Sequence, residues 1–147
     1  MKSGIFFGLG VLAGAMITIQ SVLNSALGKR IEILGSVITA TIVSLFILLI
    51  SILIFPGSAN FKRIPGADEW YLYMGGILGI AILAAPIFLI PRIGATSTLT
   101  AIVVGQLLLA LILDHYGLFD FPKIEISPIR IVGILLLGIG AYLIKKA

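Results

Sequence analysis

The chain has 147 residues, of which 60% are hydrophobic and 11% charged, against roughly 25% charged in a soluble domain. A chain this short keeps a large surface, and so few charges cannot cover it in water, so the solvent for most of its length is lipid. The net charge of +4 is no nucleic-acid footprint, because the Lys and Arg residues sit at the ends of apolar runs rather than along one face. The lack of cysteine and the single histidine, His115, exclude disulfides, thiolate chemistry and His-rich zinc sites.

A spanning helix needs about 20 mainly apolar residues. The first apolar stretch follows Lys2 and exceeds the roughly 7–15 residues of a signal-peptide core. It ends in Gln-Ser-Val-Leu-Asn-Ser, which is no cleavage site, so it reads as a first spanning helix over about 4–27. Gly10 and Gly14 lie on it at a spacing that lets helix backbones approach. Gln20 and Asn24 lie four apart and share a face. Gly28-Lys29-Arg30 is expected to close this helix with a C-terminal glycine and two cations.

A second helix is predicted over about 33–55, with Ser36, Ala40 and Ser44 at spacing four. A longer loop, Pro56 to Trp70, follows. Asp68 is expected to cap a third helix over about 71–90, and Trp70, Tyr71 and Tyr73 stand where an interfacial aromatic belt belongs. Pro86, inside this helix, removes a backbone donor and frees the carbonyl of Ile82, which makes it a candidate hinge.

Pro91-Arg92-Ile93-Gly94 separates the third helix from a fourth over about 95–113. The fourth carries the small-residue stripe Ser97, Ala101, Gly105 and, near its middle, Gln106. Asp114 and His115 stand at its end, as a solvated helix terminus or a proton relay at a mouth. After a second long loop, Ser127-Pro128 reads as an N-cap followed by proline at the first helical position. The last helix, about 129–144, is short, and Arg130 can snorkel from its first turn. These runs are apolar all round, which argues against transmembrane strands.

The expected fold is therefore all-α, a single membrane domain over 1–147 with five transmembrane helices. An odd count puts the termini on opposite sides. The N-terminal side then carries Lys2, Lys62, Arg63, Lys123 and Arg130; the other carries Lys29, Arg30, Arg92, Lys145 and Lys146. Five against five leaves the positive-inside rule without a preferred orientation. A five-helix unit inserted both ways builds an inverted repeat from one gene, as an antiparallel homodimer: half of a ten-helix transporter.

The candidate substrate-binding residues are Gln20, Asn24 and Gln106. Amides at membrane depth either line a cavity with donors and acceptors or bond one helix to another. No Asp or Glu lies near the middle of a span, so either the substrate is a small neutral or zwitterionic organic molecule or any coupling works without an ionisable group at depth. No phosphate-cradling loop occurs, and one histidine at a helix end makes no catalytic triad. Neither enzyme activity, cofactor nor metal is expected.

The run Gln20-Ser-Val-Leu-Asn-Ser-Ala-Leu-Gly-Lys-Arg30 resembles the first-helix motif of the YdcZ family of bacterial inner-membrane proteins. So do Pro91-Arg-Ile-Gly94, Gly105-Gln106, Asp114-His-Tyr-Gly-Leu-Phe119 and Arg130-Ile-Val-Gly133. The resemblance covers nearly the whole chain. One departure is Ile19, where many members carry proline. The family belongs to the drug/metabolite transporter superfamily. The resemblance implies a multi-pass protein of the bacterial inner membrane and a five-helix half-unit, often of dual topology or encoded as oppositely oriented gene pairs, matching a ten-helix inverted repeat in larger members. The expected function is that of a secondary transporter, an exporter of a small organic metabolite or drug. A passive dual-topology ion channel and a structural or accessory membrane protein are the competing readings.

Overall fold

A backbone in hydrocarbon must satisfy its own N–H and C=O groups, and helices do so within one segment. The computed structural model describes residues 2–118 and 122–146, is helical, and has no strand among those residues. Among the described residues, four helices are long and apolar enough to cross a membrane. They are α1 (Lys2–Ile54), α2 (Met74–Ile93), α3 (Ala95–Tyr116) and α4 (Pro128–Lys146). Two short 3₁₀ helices, Phe61–Arg63 and Ala67–Tyr73, occupy the loop before α2. Phe119, the last residue of one family-like motif, lies outside the described residues.

The 53 residues of α1 are not one straight rod. At ~1.5 Å per residue they would reach about 80 Å, well beyond a ~30 Å hydrocarbon core. The helix breaks at Ile31 (φ −125°, ψ 19°) and Glu32 (φ 64°, ψ 170°). Glu32 thereby sits in backbone space that is essentially glycine's own. Two contacts reveal the consequence. The Ser36 hydroxyl donates to the Asn24 carbonyl at 2.7 Å, and the Gly28 backbone lies beside the Ser36 side chain. The chain folds back on itself at the break.

Several local expectations are corrected here. Gly28 does not end its helix, which runs on through Lys29 and Arg30. It serves instead as a close-contact position, since a Cβ there would collide with Ile87 Cγ2 of α2. Asp68 is no helix cap: it lies inside the 3₁₀ turn Ala67–Tyr73, whose N-cap is Gly66 with no side-chain capping bond. Helix α2 continues through Pro91 to Ile93. Proline removes only its own donor, and the break falls at Gly94, where φ 78° and ψ 161° suit a residue without Cβ. By contrast, Ser127 does cap α4. Its Oγ accepts from the Arg130 N–H at 3.3 Å, and Pro128 takes the first helical position.

The chain divides into two compact units, Met1–Pro91 and Arg92–Ala147. In the first, packing concentrates at the break in α1. Ser21, Ser25, Ser36 and Val37 are buried there, as are Pro86 and Ile87 of α2. Away from the break both limbs of α1 are exposed along residues 4–20 and 41–50. In the second unit α3 and α4 pack antiparallel, with Asp114 beside Arg130 at one end. Hydroxyls along the helices turn back on their own backbone. Thr18 bonds the Gly14 carbonyl, Thr41 that of Val37 and Thr100 that of Thr96, which satisfies them without a partner helix.

Candidate functional site

In an apolar helix, a side-chain amide that bonds no neighbour must find water, a ligand or another chain. Gln20 and Asn24 stand one turn apart on α1, just before the break. Gln20 is exposed and Asn24 half-buried. Asn24 does hold helices together, but with its backbone: its carbonyl, not its amide, accepts from Ser36. Gln106 lies in the other unit, exposed near the middle of α3. Among the described residues no side-chain hydrogen bond forms at Gln20, Asn24 or Gln106. The structure thus brings Gln20 and Asn24 onto one helix face and leaves all three amides with donors and acceptors to spare.

Sequence reasoning missed buried hydroxyls in each unit. Ser21 and Ser25 are four apart, and Ser25 is 2% exposed with an unbonded Oγ. Thr98, in the first turn of α3, is fully buried with an unbonded hydroxyl. The signal for the serines was present, since both flank Gln20 and Asn24 in sequence. Their burial depends on the fold-back at Glu32, which no local pattern announces.

Pro86 is buried within α2, and the helix stays regular through it. Of the small residues singled out for packing, Gly10, Gly14 and Gly105 have no atom within 4 Å of where a Cβ would stand. Ser97 and Ala101 line a groove of about 390 Å³ between α3 and α4, with Gly138, Ala141 and Tyr142 opposite and Lys145 at its end. Gln106 does not line this groove.

At the other end of this helix pair, Arg130 Nη1 meets Asp114 Oδ2 at 3.3 Å. The pair is partly open, with side chains 39% and 44% exposed. The Asp114 carbonyl also accepts from the Ile124 N–H at 2.8 Å, which folds the connecting loop back onto the end of α3. Asp114 is therefore partnered by a cation on the next helix. The neighbouring His115 makes an edge-on ring contact with Tyr116, centroids 5.2 Å apart.

Comparisons with known proteins bear on the whole chain. The sequence model of the family described as "Putative inner membrane exporter, YdcZ" matches residues 5–143. The inner membrane protein YdcZ of Escherichia coli (strain K12) is 31% identical over 102 residues, covering 68% of this chain and 67% of that protein. No solved structure matches the chain.

Proposed function

We propose that this chain, which belongs to the YdcZ family of inner-membrane exporters, is a secondary transporter that exports a small neutral or zwitterionic organic molecule. The observation that carries the reading is the family match across nearly the full length. It places the protein in the inner membrane, and the family's role is transport rather than enzymatic chemistry. The four apolar helices agree with that location.

The finer architecture rests on α1. A 51-residue apolar stretch broken at Ile31 and Glu32, with Ser36 returning to Asn24, supports a helix that crosses the membrane twice. The count is then five spans. Five spans and a balanced distribution of Lys and Arg support two oppositely inserted copies forming an antiparallel homodimer. Gln20, Asn24 and Gln106 line the cavity of that assembly. Their unbonded amides support a role in ligand binding over one in holding helices together. Pro86 acts as the hinge: it leaves the Ile82 carbonyl without its usual donor, and it is buried beside the α1 break, so that a bend made there during transport would move the face that carries Asn24. Gly10, Gly14 and Gly105, open in the single chain, supply close approach for the second copy.

The test is flux through liposomes containing the purified protein. Slow, saturable movement of a small organic solute is expected. Fast, unsaturated ion flux marks a passive channel instead, and no flux of either kind marks an accessory protein.

A further inference from the structure

Asp114 lies in the last turn of α3 and Arg130 in the first turn of α4, so the pair sits at the edge of the apolar spans, where headgroups meet hydrocarbon. Below it lies a groove of about 340 Å³, walled by Leu107, Ala110, Leu111 and Ile134. Gly133 leaves the groove open beside Arg130, with no atom within 4 Å of where its Cβ would be. The groove shares Ile134 with a second one of about 380 Å³ farther along the same helices. The walls of the first groove thus form a short apolar track that leads away from a pair of opposite charges.

The pair itself is incompletely used. One guanidinium nitrogen meets one carboxylate oxygen at 3.3 Å, whereas Arg can offer five N–H donors and a carboxylate can accept at two oxygens. Both side chains remain partly exposed. We propose that this groove binds a membrane phospholipid whose headgroup carries both a phosphate and a primary ammonium. The phosphate takes the spare donors of Arg130, the ammonium donates to Asp114, and an acyl chain lies along the apolar track.

Charge complementarity selects this occupant. A zwitterion answers both members of the pair and adds no net charge to the site. An anionic headgroup without the ammonium satisfies Arg130 but faces the Asp114 carboxylate. A choline headgroup carries the positive charge but has no N–H to donate. The acyl chain confers little preference, since lipid tails are as apolar as the groove. Selectivity therefore resides in the headgroup. The inference stands apart from the transport reading, because it concerns a lipid held at the side of one helix pair.

The experiment is native mass spectrometry of the full chain released from detergent, with phosphatidylethanolamine, phosphatidylcholine and phosphatidylglycerol of identical acyl chains added in turn. Phosphatidylethanolamine should be retained about tenfold better than the other two, the ratio that ~1.4 kcal/mol produces. Asp114→Asn should erase the preference over phosphatidylcholine while retaining general phospholipid binding. Arg130→Lys, which keeps the charge, should retain the preference, and Arg130→Gln should lose it. Water-soluble phosphoethanolamine at equal concentration should displace nothing. Equal retention of the three lipids, or a preference untouched by Asp114→Asn, would overturn the proposal. Displacement by phosphoethanolamine would overturn it in favour of a free-solute site. A fall in oligomer size on Arg130→Gln with lipid retention unchanged would overturn it in favour of a second copy seated in the groove.

Discussion

The Ser36 hydroxyl bonds the Asn24 carbonyl at 2.7 Å, although twelve residues of unbroken helix would hold them ~18 Å apart. That one contact fixes the geometry of the α1 break and the face on which Asn24 lies. Gly28 belongs to the same contact, with Ile87 of α2 against its backbone. Gly28→Ala should therefore destabilise the protein by about 1–3 kcal/mol, the usual cost of overpacking, since the β-branched Ile87 yields poorly. Ser36→Ala removes only the hydrogen bond and should cost about 0.6 kcal/mol. Thermal unfolding in detergent ranks the two. Adding Ile87→Ala to Gly28→Ala should restore part of the loss, a coupling that a purely local helix effect does not produce.

Glu32 holds φ 64° and ψ 170° without being glycine. Such a conformation costs of order 1–3 kcal/mol in a residue with a Cβ. Glu32→Gly should raise stability by about 1 kcal/mol after the added freedom of the unfolded chain is subtracted. The same thermal assay reads it. A lowered transition would mean that the Glu32 side chain contributes more than its backbone strain costs.

Gln106→Leu should abolish transport and leave the assembly intact, because no described residue bonds its amide. Flux in liposomes and size in detergent separate the outcomes. A mutant that falls apart would make Gln106 an interhelical bond to the second copy instead.

Gly105→Leu addresses assembly directly. The space around Gly105 is open within the chain, so the leucine should leave the single chain's fold alone and dissociate the oligomer. An unchanged sizing profile would count against Gly105 lying between copies.

Much of the architecture was legible because the bilayer is a strict solvent. Long apolar runs must be helices, and Ser127-Pro128 announced the start of α4 by a local capping rule. What escaped were features set by tertiary contact. Gly28 reads as a helix stop in isolation, yet it is spent on the approach of Ile87. Pro91 reads as a boundary, yet Gly94 alone supplies the backbone freedom the turn requires. The Asp114–Arg130 pair joins residues 16 apart in sequence, which only the return of α4 along α3 brings together. The amides at Gln20, Asn24 and Gln106 were visible as polar groups in apolar runs, but their lack of side-chain partners among the described residues was not.

Dual topology is the claim on which the antiparallel assembly depends, and the absence of cysteine makes it directly measurable. Ser58, exposed in the loop after α1, is replaced by cysteine, and intact cells are treated with a membrane-impermeant thiol reagent. With α1 crossing twice, as proposed, five of the ten Lys and Arg residues fall on each side, which leaves insertion without a bias. About half of the molecules should therefore label from outside and the rest only after permeabilisation. Adding two lysines at the C-terminus should shift the ratio one way, and removing Lys145 and Lys146 the other. Labelling of Ser58→Cys entirely from one side would contradict the antiparallel homodimer and require a separately encoded partner or a parallel assembly.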